Sequence, residues 1–202
     1  MKVALIGATG QAGLRLLAEL TRRGHAVTAI ARHPEKAPKG ALVTAKPGDV
    51  RDPGALAGVL TGHDAVISSV RFVDTDPASL TGAVRAAGVK RYLVVGGAGS
   101  LEVAPGVTLI STPQFPEAYK EEANRGAQFL DYLRSVDDLD WTFLSPSALF
   151  VAGERTGTFR LGKDQLLTND KGSSISFEDF AIAMVDEIET PAHLRQRFTV
   201  GY

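Results

Sequence analysis

The first stretch of the chain decides the fold: MKVALIGATGQAGLRLLAELTRRGHAVTAIARHPEK, residues 1–36. KVALIG is an apolar run of strand length, and it ends in glycines at positions 7, 10 and 13. The run LRLLAELTRR follows, with Leu14, Leu17, Ala18 and Thr21 on one helical face and Arg15, Glu19, Arg22 and Arg23 off it. Gly24 is a plausible stop, and AVTAIA, 26–31, is a second apolar run. A strand that turns sharply into a helix needs a residue free to take positive φ. Backbone N–H groups at the helix start then face outward and can hold a pyrophosphate. The spacing G-x-x-G-x-x-G therefore predicts a phosphate loop made of Gly7, Thr9, Gly10, Gln11, Ala12 and Gly13. Gly10 lets phosphates approach the backbone, and Gly13 lets the helix pack on the sheet. A tight structural turn is the alternative, but strand before and helix after is the context that the motif requires.

The second run ends on a base. Where an NAD site carries an acidic residue to bind the ribose hydroxyls, this chain has Arg32 and His33, with Lys36 and Lys39 further on. A guanidinium matches phosphate oxygens with a fork of donors. The 2′-phosphate of NADP is its natural partner, with Arg32 and His33 as candidate ligands. Glu35 is the competing reading, since it could take the ribose if the loop were shorter.

Outward from this unit, apolar runs alternate with helical patterns. ALVTAK, DAVISSV, RYLVVGG and LDWTFLSP read as strands; DPGALAGVL, PASLTGAVRAAG and 116–135 read as helices. The strands are continuous apolar runs, as expected when a parallel sheet is buried on both faces. The class is α/β: a Rossmann-type, doubly wound, mostly parallel sheet with helices on both faces. GTFRLGKDQLLTND, 157–170, looks like a hairpin, SFEDFAIAMVDEIE like a helix with Ser176 or Glu178 near its start, and RFTVGY like a last strand. No linker or repeat interrupts the chain, so residues 1–202 are expected to form a single domain with a small excursion at about 151–172.

Composition narrows the chemistry. The chain has 202 residues, a formal net charge of −1 and no cysteine. Disulfides, thiolate nucleophiles and cysteine-based zinc sites are excluded, and no metal site is predicted. Near-neutral charge argues against a nucleic-acid partner. No run approaches the roughly 20 apolar residues of a membrane span, and the N-terminal run enters a glycine turn unlike a signal peptide. A cytoplasmic protein is expected, as monomer or homodimer.

Open α/β sheets bind ligands at the carboxyl ends of their strands, and there this chain places small residues. Asp49 in PGDVRD could accept from an adenine amino group, with Val50 on the ring; a capping turn is the other reading. Ser68 and Ser69 end the fourth strand and leave room for cofactor or serve as filler. Gly96 and Gly97 let a ligand approach the fifth strand, and Ser100 adds a hydroxyl. Pro146 stiffens the turn after the sixth strand, where Ser147, Ala148 and Leu149 could offer backbone groups to a nicotinamide carboxamide.

Taken together, GATGQAG, Arg32, GDVRD, VVGGAGS and LDWTFLSPSALF resemble the atypical short-chain dehydrogenase/reductase superfamily. The resemblance is nearest to its small NAD(P)H-binding branch of flavin and biliverdin-IXβ reductases. It spans nearly the whole chain and implies a parallel Rossmann sheet of seven or eight strands and an NADP groove. It also implies Gly7, Gly10 and Gly13 as the phosphate loop, Arg32 on the 2′-phosphate and Ser100 beside the nicotinamide. One departure matters. The larger superfamily uses Tyr-x-x-x-Lys as proton donor, but Gly96, Ala123 and Val136 stand four residues after Tyr92, Tyr119 and Tyr132, and Tyr202 ends the chain. Tyr119, next to Lys120, is the substitute candidate; a wet helix start is the other reading. The expected activity is NADPH-dependent hydride transfer to a small-molecule conjugated acceptor, a flavin or quinone, whose protons come from solvent. Phe72, Phe115, Phe150 and Tyr119 are candidates for an aromatic wall over the nicotinamide. The alternative is an NADP-binding redox sensor without turnover. Epimerase-like chemistry is discounted, because it would need the dyad and a larger substrate domain.

Overall fold

In a computed structural model, which describes all 202 residues, eight strands form one central sheet. They are β1 Lys2–Ile6, β2 Ala26–Ala31, β3 Val43–Pro47, β4 Ala65–Ser68, β5 Arg91–Val95, β6 Asp140–Pro146, β7 Arg160–Gly162 and β8 Gln196–Gly201. Their order across the sheet is β7-β8-β6-β5-β4-β1-β2-β3, and every pairing is parallel except that of β7 with β8. The helices are α1 Gln11–Arg22, α2 Pro53–Leu60, α3 Pro77–Ala86, α4 Glu117–Arg134 and α5 Phe177–Glu189. No helix is long and apolar enough to cross a membrane.

Alternation along the strands divides the core. In β1, Val3 and Leu5 face α1 and α5, joining Leu16, Leu20, Phe180 and Met184. Ala4 and Ile6 face α2, α3 and α4, joining Leu56, Leu80, Val84 and Phe129. Both faces are covered, which is why the strands read as unbroken apolar runs. Each large side chain fully buried here contributes about 1.5–3 kcal/mol.

The chain leaves β1 for β2 and β3 on one side, then returns to β4 on the other. The order therefore reverses between β1 and β4, and their carboxyl ends part to open a crevice. The excursion is tied back to the helix layer. Arg155 donates twice to Glu19, at 2.8 Å each. Arg155 and Arg23 together hold the Glu19 carboxyl down to about 2. The buried Asp179 accepts from Thr156 Oγ1, the Gly157 N–H and the Tyr202 hydroxyl at 2.5, 2.8 and 2.9 Å.

Residues 157–170 do not pair with themselves as a hairpin. Arg160–Gly162 instead runs antiparallel along the edge of β8, and the Leu166 N–H donates to the Glu102 carbonyl at 2.8 Å. The free edge of β8 offers backbone partners that a short isolated hairpin lacks. The irregular stretch after β5 holds a small hairpin of its own, Glu102–Ala104 with Val107–Thr108.

Candidate functional site

Two neighbouring chambers lie at the carboxyl ends of the strands. The first, of about 260 Å³, lies over the switch point. Gly7 turns the chain with φ +80°, and the N–H groups of Gly7 and Ala8 donate to the Ile30 carbonyl at 2.9 and 3.2 Å. Contact distances separate the three glycines. A Cβ on Gly7 would stand 2.1 Å from the Ser69 carbonyl oxygen, and one on Gly13 would stand 2.2 Å from that of Gly7. A Cβ on Gly10 would meet only the Gly7 carbonyl oxygen, at 3.4 Å. Gly7 and Gly13 are therefore needed for packing, whereas the space above Gly10 is open.

Helix α1 begins at that opening with no side-chain cap and no acidic residue in its first turn. The N–H groups of Gln11, Ala12 and Gly13 have no acceptor within the protein. Helices α2, α3 and α5 are instead capped by Asp52, Asp76 and Ser176. Uncapped donors at the positive end of a helix suit an anion, so these residues fit a pyrophosphate. The Gln11 side chain lies along the helix, accepting from Arg15 Nη1 at 3.0 Å, and Ala12 packs against the core. Both bring only backbone to the loop.

Arg32, at the end of β2, is exposed, lines the crevice and has no ion-pair partner. His33 does not join it. Its ring stands outside the crevice, 3.4 Å from Glu35, because the chain turns away at Pro34. Asp49 and Val50 do line the crevice. The Asp49 carboxylate, however, already accepts from both arms of Arg51, at 3.0 and 2.6 Å, and this pairing holds its carboxyl down to about 2. Thr9, Ser69 and Asp74 also line it, with Arg51 and Arg71. The sequence reading missed both arginines. Arg71 stands two residues past Ser69, and extended backbone returns to the same side every second residue; Arg51 is brought in by the turn after β3, where the Asp52 N–H donates to the Asp49 carbonyl at 3.1 Å.

Ser68 points the other way. It is buried, and its hydroxyl is 2.9 Å from that of Tyr92 inside the core.

The second chamber, of about 520 Å³, lies beyond β5 and β6. Gly97 is open on its Cβ side. Gly96 is not, because a Cβ there would stand 2.3 Å from the Phe143 ring and 2.8 Å from the Leu144 carbonyl oxygen. It too lines the chamber, but its lack of a side chain answers to packing between strands. The Ser100 hydroxyl oxygen accepts from Arg197 Nη1 at 3.2 Å. Arg197 is a further residue the sequence reading missed. It lies in β8, its side chain is 4% exposed, and it donates to Asp164 Oδ1 from Nε and Nη2 at 2.8 and 2.5 Å. A guanidinium can only donate, so the proton of Ser100 is left free to point elsewhere.

Tyr119 stands at the rim in the first turn of α4, 65% exposed. Lys120 Nζ sits 2.6 Å from Glu117, so the neighbouring pair does not work as a tyrosine–lysine dyad. Phe72 forms part of the floor, stacked on Phe143 at 6.0 Å, and Phe115 and Leu149 also line the chamber. Phe150 does not. It packs on Phe177 and Phe180, with ring centres 4.5 and 4.7 Å away. Pro146 and Ser147 are also turned inward. Pro146 pairs with Val200 in the sheet, and the fully buried Ser147 donates its hydroxyl to the Val200 carbonyl at 3.1 Å. The strand end is held by β8, so only Ala148 and Leu149 reach the groove.

Known proteins share this fold. Three solved structures each match the whole chain. One is a proposed exported protein from Burkholderia pseudomallei, 48% identical, with a TM-score of 0.89 over 100% of that chain. The second is a proposed epimerase from Bacteroides thetaiotaomicron, 42% identical, with a TM-score of 0.95 over 96% of its chain. The third is a proposed NADH-flavin reductase from Streptococcus pneumoniae, 38% identical, with a TM-score of 0.83 over 99% of its chain. The family model described as NAD(P)H-binding matches residues 7–191. That match runs from the first glycine of the loop to just past α5, and the chain belongs to the NAD(P)H-binding family.

Proposed function

We propose that this protein is an NADPH-dependent reductase whose acceptor is a conjugated ring such as a quinone or flavin. The reading rests on one observation above all: a crevice with an excess of arginine and an uncapped helix start lies beside an apolar chamber that holds a free hydroxyl but no acid–base dyad. The names of the relatives do not decide it, since they describe three different proteins.

The α1 N–H groups hold the pyrophosphate, Arg32 takes the 2′-phosphate, and Gly97 lets a ring lie against the backbone. NADPH, when bound, supplies the hydride. The acceptor gains that hydride and a proton from solvent, so a quinone leaves as hydroquinone and the cofactor as NADP⁺. Ser100 orients the acceptor through one hydrogen bond, its oxygen held from behind by Arg197. Helix α4 and Phe115 form one wall of the chamber.

Arg32→Ala is expected to cost about 1.5–3 kcal/mol in NADPH affinity, the worth of a hydrogen bond to a charged group, and almost nothing for NADH. Calorimetric titration of both cofactors checks this. A wild-type protein that binds NADH as tightly as NADPH contradicts the role given to Arg32.

Ser100→Ala is expected to lose less than about tenfold in kcat, in line with a net neutral hydrogen bond of about 1 kcal/mol. Tyr119→Phe should fall in the same range. Steady-state kinetics with a quinone decide it: a loss of about 10²–10⁴-fold in either variant marks a dedicated proton donor. Tight NADPH binding with no turnover on any acceptor supports the sensor reading instead.

A further inference from the structure

We infer that the acceptor of this reductase carries no charge. The inference rests on the reductase reading and narrows its substrate to uncharged, carbonyl-bearing planar rings, the class of simple quinones and unphosphorylated flavins.

The chain distributes its cations unevenly between the two chambers. The crevice for the cofactor is lined by Arg32, Arg51 and Arg71 beside Asp49 and Asp74, an excess of one cation. The chamber beyond it is lined by no lysine, arginine or histidine. Its surface is made by side chains such as Phe72, Leu109, Phe115 and Leu149, with polar contributions from Ser100, Thr112, Gln114 and Tyr119. Its one charged group is an anion, Glu122, and that carboxylate accepts from the N–H groups of Phe72 and Val73 at 2.7 and 3.0 Å.

Arg71, on the crevice side, stands 4.0 Å from Glu122, and two further cations are paired away from the lining. Lys120 is 2.6 Å from Glu117, and Arg197 lies buried behind Ser100 against Asp164. A phosphate, sulfonate or carboxylate brought into this chamber would lose water and gain no counter-charge from its lining, while the Glu122 carboxylate already takes up Arg71. An uncharged ring loses only apolar hydration, and its carbonyl meets the free proton of Ser100.

Riboflavin and FMN separate the possibilities, because they share one ring and differ by a phosphate. NADPH oxidation is followed with each as acceptor, and quenching of flavin fluorescence is titrated with the NADP⁺-loaded protein. The expected result is at least about tenfold higher kcat/KM and tighter binding for riboflavin, the difference lying in KM. Gln114→Lys, which adds a cation to the lining, should move the FMN-to-riboflavin ratio toward one. Equal or better use of FMN by the wild-type protein overturns the inference while leaving the reductase reading intact. Turnover of neither flavin nor an uncharged naphthoquinone overturns the reductase reading. In that case, tighter quenching of riboflavin than of FMN still supports the uncharged site, and equal quenching or none refutes it.

Discussion

A Gly10→Val variant is expected to fold normally and to lose nicotinamide dinucleotide binding almost entirely. The backbone at Gly10 is extended, with φ −75° and ψ 170°, which valine adopts without strain. A Cβ there meets only the Gly7 carbonyl oxygen, at 3.4 Å, so the packing of α1 is undisturbed. The two methyl groups instead fill the space in front of the Gln11, Ala12 and Gly13 N–H groups. A pyrophosphate cannot then reach those donors, and affinity should fall at least about a thousandfold, or about 4 kcal/mol. Titration calorimetry reads the loss, and a thermal melt within a few degrees of wild type shows that the fold is intact. Native affinity in this variant would place the phosphates off this loop.

Gly7→Ala should do the reverse and damage the fold itself. Its φ of +80° lies in the left-handed region, and a Cβ would stand 2.1 Å from the Ser69 carbonyl oxygen. That oxygen is backbone at the end of β4 and cannot swing aside. Left-handed strain and overpacking each cost about 1–3 kcal/mol, so a loss of about 3 kcal/mol or more is expected. For a chain of this size that lowers Tm by roughly 6–12 °C. Cofactor affinity falls too, because relief comes from spreading β1 and β4 where the crevice forms. A wild-type melting curve for Gly7→Ala would refute this account of the turn. The two variants together separate a glycine needed for a ligand from one needed for packing.

What was legible in the sequence was local. The β1–loop–α1–β2 unit is written in neighbouring residues: apolar runs, three glycines at fixed spacing and an amphipathic helix. The same holds for α5, whose cap Ser176 accepts from the Asp179 N–H at 3.0 Å and was readable as a start signal. The pairing of residues 160–162 was not legible, because an edge strand is chosen by the partner it meets and not by its own pattern. Nor was the inward turn of Phe150, whose neighbours Phe177 and Phe180 lie far along the chain.

The sequence alone determined the fold class, the glycine turn between β1 and α1 and the basic residue after β2, since each depends on periodicity and short-range geometry. Tertiary structure decided which side chains face the groove. Ser68 and Ser69 are adjacent and chemically alike, but alternation along a strand sends one into the core beside Tyr92 and leaves the other in the crevice. Ser100 and Arg197 are 97 residues apart, and only the parallel stacking of β5, β6 and β8 brings them together. A hydrogen bond across that separation follows from the order of strands in the sheet, which no local pattern encodes.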